Sequence, residues 1–310
     1  MSKTVAVLMG GWSPEREVSL VSGKACAEGL REGGHTVIEY DVQRDLRALV
    51  DFLRPAKGGG PDVAFNALHG KYGEDGCIQG VLEILKMPYT HSGVLPSALA
   101  MDKPMARHVF TSIGIRVAEG KVVERRSLAT GDPMSRPYVV KPIDQGSSVG
   151  VHIVREGDNL SAVEAAEAQF GERVLIEKYV PGRELTVANM GDKAVAVTEL
   201  RPRTRFYDYE AKYTDGVTEH LVPAPVPAEV YELAKQWALM AHQALGCSGL
   251  TRADFRWNDK KPGTSGLVML ELNTQPGMTP LSLAPEQAKW AGISWPALMT
   301  WMVDHARHPT

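Results

Sequence analysis

The chain has 310 residues, 44% hydrophobic and 23% charged, with a formal net charge of −3. That length fits two or three packed subdomains, and the composition sets aside fibrous and disordered classes. A slightly negative chain has no general basic field, so nucleic acid and membrane surfaces are not expected as partners.

The apolar run Val5–Met9 turns polar at Gly10-Gly11-Trp12-Ser13, too short for the core of a secretory signal. No run approaches the roughly 18 apolar residues that a membrane helix needs. A cytoplasmic location is expected. Cys26, Cys77 and Cys247 are far apart and form no CxxC pair, which reads as reduced core thiols. A nucleophilic cysteine would need a neighbouring base or dipole that the sequence does not identify.

Val5–Met9 reads as a buried strand and Ser13–Leu30 as a helix with Pro14 in its first turn. Then follow strand Thr36–Asp41, helix Arg44–Leu53, strand Asp62–Leu68 and helix Asp75–Lys86. Strands separated by helices require crossovers and a mostly parallel sheet. Such sheets bind ligands beyond the strand carboxyl ends, here Gly10–Ser13 and His69–Gly73.

From about Val94 the texture changes. A helix is predicted over Ser97–Ser112, then strands Tyr138–Lys141, Gly150–Val154, Val174–Tyr179, Glu184–Met190 and Ala194–Leu200. Their close succession implies antiparallel sheet. Helices Ser161–Gly171 and Ala228–Leu245 intervene, and strands Thr251–Trp257 and Gly266–Leu272 follow. The polar segment Arg201–Pro223 carries Phe206, Tyr207, Tyr209 and Tyr213, which favours an ordering lid.

Side chains alternate along a strand, so Glu271 and Asn273 share a face while Leu272 points to the core. A carboxylate and an amide oxygen aimed at one point suit a hard cation such as Mg²⁺. Arg252 and Asp254 repeat the spacing one strand earlier. A single pair of this kind is more often the solvated face of an edge strand; two adjacent pairs favour a site.

Lys141 ends a strand, and Gln145-Gly146-Ser147-Ser148-Val149-Gly150 follows, a loop able to turn N–H groups and hydroxyls toward phosphate. No Walker A pattern occurs. Taken alone, this loop is more often a plain turn, and Lys103 more often an exposed lysine. Gly10-Gly11 lacks the dinucleotide spacing. Glu15 and Glu17, in a first helical turn, satisfy the helix dipole or hold an ammonium group. His69, at a strand end, reads as a substrate contact.

Together these segments resemble the D-alanine–D-alanine ligases of the ATP-grasp superfamily, from Val5 to at least Leu283. The carriers are residues 10–19 (GGWSPEREVS), 68–76 (LHGKYGEDG), 146–150 (GSSVG), 206–213 (FYDYEAKY) and 273–279 (NTQPGMT). The resemblance implies an α/β N-terminal parallel-sheet domain followed by an α+β ATP-grasp fold whose two subdomains clamp ATP. The implied bounds are 1–96, 97–182 and 183–310, with a lid at 201–223. It implies joining of two D-alanines through a D-alanyl phosphate, for peptidoglycan precursor synthesis, by a homodimer using ATP and two Mg²⁺ (or Mn²⁺).

The same resemblance assigns residues. Lys103 and Lys141 would hold nucleotide phosphates; Glu177, Lys178, Tyr179 and Val180 the adenine; Glu184 the ribose. Asp254, Glu271 and Asn273 would hold the metals. Glu15 would anchor the first D-alanine's ammonium group, with His69 near its carboxylate, and Ser147 and Tyr213 would bond with Glu15 and close the lid. Lys212, Ser282 and Leu283 would take the second substrate's carboxylate, and Arg252 with the Gly277 backbone the oxyanion.

Two positions depart from the usual pattern: Gln275 stands where serine is usual, and Pro280-Leu281 precedes Ser282 where Ser-His is frequent. The competing readings are a D-alanine–D-lactate ligase, another ATP-grasp carboxylate–amine ligase, a non-catalytic nucleotide-binding protein, and a nicotinamide dehydrogenase. Tyr213 favours an amine nucleophile, because lactate-forming relatives differ in that loop.

Overall fold

The fold is given by a computed structural model that describes residues 2–146, 150–158, 171–202, 218–279 and 281–309. The expected helix at 161–171 and most of the expected lid lie outside the described residues.

Strands β1 (Thr4–Gly10), β2 (Thr36–Val42) and β3 (Val63–Asn66) form a parallel sheet in the order β2-β1-β3. Helices α1 (Arg16–Glu32), α2 (Leu46–Leu53) and α3 (Cys77–Ile84) belong to the same unit. Residues of β1 alternate between two cores, as a strand covered on both faces must. Val5 and Val7 pack with α1, whereas Ala6 and Leu8 pack with Leu49, Leu53 and Leu82 of α2 and α3. Phe65 on β3 is fully buried, worth about 1.5–3 kcal/mol of hydrophobic stabilisation.

Helix α1 begins at Arg16 rather than Ser13. Ser13 Oγ instead donates to the His69 carbonyl at 2.6 Å and accepts from the Glu15 N–H at 3.2 Å. The turn before the helix is therefore tied to the His69 loop.

The single helix expected over Ser97–Ser112 is two: α4 (Val94–Met101) and α5 (Lys103–Ser112). Asp102 is extended between them, and its carboxylate caps α5 by accepting from the Met105 N–H at 3.0 Å. Pro104 in the first turn of α5 suits a new helix start. The break places Lys103 and Arg107 four residues apart on one face of α5.

Strands β4 (Gly120–Glu124), β5 (Tyr138–Pro142), β6 (His152–Val154) and β7 (Arg173–Lys178) form an antiparallel sheet ordered β4-β7-β5-β6. β4 was not expected from sequence. A five-stranded antiparallel sheet, ordered β10-β9-β8-β11-β12, contains β8 (Arg183–Met190), β9 (Lys193–Pro202), β10 (Thr218–Leu221), β11 (Leu250–Trp257) and β12 (Leu267–Asn273). Helix α6 (Ala228–Ala244) buries Val230, Ala234 and Ala238 in one core with Val187, Val197, Ala253 and Phe255 of this sheet.

Two C-terminal helices not expected from sequence, α7 (Leu283–Trp290) and α8 (Trp295–Asp304), close the molecule. Leu298, Met299, Met302 and Val303 of α8 share a core with Val5, Val7 and Phe65. A Cβ on Gly29 of α1 would collide with the Trp295 ring, so glycine permits this close helix approach. The last helix is thus part of the N-terminal domain's core.

Among the described residues no helix is long and apolar enough to cross a membrane. All three cysteines are free; Cys26 is buried and Cys247 half-buried, but Cys77 is exposed, contrary to the expectation of core thiols.

Candidate active site

The site is built on β11 and β12. Asp254 pairs directly with Glu271, and Arg252 with Asn273, so all four share one face as the spacing implied. The register shifts immediately after Asp254: Phe255 pairs with Met269, leaving Leu270 as the extra residue of a β-bulge. Consecutive residues Leu270 and Glu271 both line the same cleft while Met269 and Leu272 remain in the core. Arg252 does more than stand beside Asp254. Its Nε and Nη2 donate to Asp254 Oδ1 and Oδ2 at 2.9 and 2.7 Å, and Thr186 Oγ1 adds a third donor at 2.7 Å.

Two cavities meet here. The first is lined by Lys103, Lys141, Glu177, Lys178, Tyr179, Val180, Glu184, Asp254 and Glu271, which unites every residue expected at the nucleotide with two expected metal ligands. Glu177 pairs with Val139 across β5 and β7, and so lies diagonally opposite Lys141 on the same face. Its Oε2 is 2.5 Å from Lys141 Nζ, and its Oε1 accepts from Arg107 Nη1. Burial at 2% exposure would push the Glu177 carboxyl up, but Lys141 and Arg107 outweigh it and hold it below the usual carboxylate range. Burial also holds the Lys103 ammonium below the usual lysine range, against the attraction of Glu271. Within this cavity Lys103 and Lys141 bring two ammonium groups together at one end, which suits phosphate oxygens.

The second cavity is lined by His69, Glu74, Lys103, Gly146, Arg252, Glu271, Asn273, Gly277, Ser282 and Leu283. His69, 5% exposed, is held through Nδ1 by Glu74 Oε1 at 2.9 Å and through Nε2 by Ser22 Oγ at 3.1 Å. Glu15 is buried behind this wall. Gly70 has φ +71°, and a Cβ there would run into Glu15 Oε2; one on Gly146 would lie 3.7 Å from both the Glu15 and Glu74 carboxylates. The loop thus needs glycine where it passes over Glu15. Ser282 Oγ accepts from the Thr279 N–H at 2.9 Å, which fixes Ser282 at the cavity despite the unusual Leu281 before it.

Of the expected site residues, Ser147, Lys212 and Tyr213 lie outside the described residues. Glu15 is the one described residue that lies behind a cavity rather than along it. Sequence reasoning missed four supporting residues: Glu74, Arg107, Arg256 and Gln275 as a contact. Arg256 donates to Glu184 Oε2 at 3.2 Å and to the carbonyls of Val180 and Gly182 at 3.1 and 2.8 Å. Its signal was the continued period of two in Arg252-x-Asp254-x-Arg256. Arg107 carried a weaker signal, a helical turn from Lys103.

Two antiparallel sheets contributing to a lysine-lined cleft, with a carboxylate-bearing strand pair on one side and a parallel-sheet domain at its end, define an ATP-grasp protein. The family models described as D-ala D-ala ligase N-terminus and C-terminus match residues 43–92 and 109–304. The chain belongs to the D-alanine–D-alanine ligase family. It is 56% identical to the D-alanine–D-alanine ligase of Parvibaculum lavamentivorans over 98% of each chain, and 53% identical to that of Rhodospirillum rubrum over 99% of each. Its fold matches the crystal structure of the Bacillus anthracis D-alanine–D-alanine ligase complexed with ATP, with a TM-score of 0.81 and 31% identity over 98% of this chain and 97% of that one.

Proposed function

We propose that this chain joins two D-alanines into D-alanyl-D-alanine, using ATP and passing through a D-alanyl phosphate. The observation that carries the reading is the adjacency of the two cavities, which share Lys103 and Glu271. One cavity has the walls for a nucleotide and the other for amino acids, so phosphoryl transfer and acyl transfer use one junction.

In the first step a carboxylate oxygen of D-alanine attacks the γ-phosphorus and the bond to the β-phosphate oxygen breaks, giving acyl phosphate and ADP. Anion meets anion, so positive charge must be in place beforehand. Lys103 and Lys141 supply it from the protein. Glu15 accepts the ammonium group of the first D-alanine, with His69 beside its carboxylate, held by Glu74 and Ser22. In the second step the other D-alanine's amine attacks the acyl carbon, and phosphate leaves with the original carboxylate oxygen. Arg252 and the Gly277 N–H stabilise the oxyanion, while Ser282, Leu283 and Lys212 receive the second carboxylate. Glu177, Lys178, Tyr179 and Val180 hold adenine and Glu184 the ribose.

The donor set of Asp254, Glu271 and Asn273 consists of oxygen atoms only, which fits Mg²⁺ or Mn²⁺. The ion-pair partner of Glu271, Lys103, stands 4.0 Å away, leaving that carboxylate available within the cleft. When bound, two such ions neutralise phosphate charge. Ser147 and Tyr213 belong to the lid that shields the acyl phosphate from water.

The same reading divides the chain at 96/97 and 182/183; the three separate sheets accord with it, while α5 packs on the five-stranded sheet and α8 on the N-terminal one. A homodimer through the N-terminal domain belongs to the same reading; exposed Trp12, Leu46 and Tyr72 of that domain gather around one surface cavity. A cytoplasmic location follows from the need for ATP. The test is ADP release across a panel of D-amino acids and D-lactate, with products identified by mass spectrometry. ADP formed only with D-alanine, together with the dipeptide, is the expected outcome. An ester as the main product, or ADP release indifferent to D-alanine, would replace this reading by one of its rivals.

A further inference from the structure

We infer that Gln275 is a positioning residue that fastens the first-substrate loop to the strand carrying Glu271 and Asn273. The inference deepens the ligase reading and rests on it for the identity of the substrate.

Gln275 is 2% exposed, and both ends of its side-chain amide are used. Nε2 donates to the Leu68 carbonyl, and Oε1 accepts from Asn66 Nδ2 at 2.7 Å. Its backbone N–H donates to Asn273 Oδ1 at 2.8 Å. One residue therefore bonds the end of β3 through its side chain and orients a candidate metal ligand through its main chain.

The network continues behind the loop. Asn66, fully buried, also donates to the Gly73 carbonyl at 3.0 Å and accepts from the Leu68 N–H at 3.2 Å, while Gln79 Nε2 donates to the same Gly73 carbonyl at 2.9 Å. His69 directly follows Leu68, and Glu74 directly follows Gly73. Both side chains that face the amino-acid cavity thus hang from carbonyls held by this amide cluster. A serine at 275 is two heavy atoms shorter and cannot reach Asn66 and Leu68 together from the same backbone. The longer amide gives this chain a direct clamp between its two walls.

Satisfied buried polar networks rigidify what they join, and removing one partner leaves the others unpaired. The loop should loosen first, and binding of the first D-alanine should weaken while the nucleotide cavity, which lacks contact with Gln275, keeps its affinity. The experiment compares wild type, Gln275→Met and Gln275→Ser by amide hydrogen exchange without substrate and by steady-state kinetics. The expected result is exchange at residues 68–76 faster by about tenfold or more, with β8 and β11 unchanged, and a KM for the first D-alanine raised about tenfold. The KM for ATP should stay within about twofold. Unaltered exchange and KM overturn the proposal. Uniformly faster exchange, or equal loss for ATP and D-alanine, also overturns it by marking a general structural role. Should Gln275→Met not fold, Gln275→Ser carries the same comparison. Wild-type protein that releases no ADP with D-alanine would instead sink the ligase reading, and the exchange result would still stand or fall separately.

Discussion

Lys103 Nζ and Glu271 Oε2 stand 4.0 Å apart on the wall common to both cavities. Neither residue reaches that point by itself. Lys103 arrives because Asp102 interrupts a helix, and Glu271 because a bulge re-aims one turn of strand. This ion pair marks the junction at which the proposed phosphoryl transfer and acyl transfer meet.

Removing the cap should be felt at the junction. Asp102→Ala is expected to cost about 0.5–2 kcal/mol of stability, the usual range for a lost helix cap. Denaturant unfolding measures that loss, and a raised KM for ATP would register the displaced Lys103. Unchanged stability would show that the cap does not matter.

Arg252 has two demands on it, the Asp254 carboxylate and the proposed oxyanion. Arg252→Met should lower kcat about a hundredfold or more, the effect of losing one oxyanion donor, about 2.7–4 kcal/mol. Steady-state turnover of a folded variant checks it, and near-normal kcat would remove Arg252 from the mechanism.

Arg107 reaches the nucleotide cavity through two of its lining residues, the Glu177 carboxylate and the Ala118 carbonyl. Arg107→Met removes one of the cations around Glu177 while Lys141 stays paired with it, so the cost should fall below the about 3–5 kcal/mol of a buried ion pair broken outright. The KM for ATP is expected to rise about tenfold or more, with Arg107→Lys restoring part of the loss. A variant that destabilises the fold while leaving the KM for ATP untouched would contradict this.

The sequence carried the chemistry better than the architecture. A period of two placed Arg252, Asp254, Glu271 and Asn273 on one face correctly, because alternation is intrinsic to a strand. The run 97–112 reads as one helix on its flanking residues, but it is broken at Asp102, which prefers a cap to a helix interior, and Pro104, which suits a first turn. Strand β4, with none of its five residues buried, had no core-facing apolar run to declare it. Helices α7 and α8 lay beyond the last motif, and only their packing against β1 and β8 shows what they do. Glu74 and Arg107 were invisible as partners because their contacts, with His69 and Glu177, depend on three-dimensional packing.

Two buried histidines give the fold an acid limit. Burial pushes both His91 and His242 down to about 4 from the ordinary 6.5. Unfolding restores the ordinary value, so between these limits the unfolded chain binds more protons and stability rises with pH. Their contribution is full above about pH 6.5 and is lost progressively as pH falls toward 4. Unfolding free energy measured from pH 7 to 4 should decline, and His242→Gln should flatten that slope whatever it does at pH 7. An identical slope would mean that His242 does not titrate in this range.

The most direct test of the shared junction follows one oxygen atom. D-Alanine labelled with ¹⁸O in its carboxylate is supplied with ATP, and the inorganic phosphate formed is analysed by mass spectrometry. Transfer through an acyl phosphate delivers one carboxylate oxygen to phosphate for each dipeptide made. Dipeptide accompanied by unlabelled phosphate would contradict the mechanism, since the carboxylate would never have been phosphorylated.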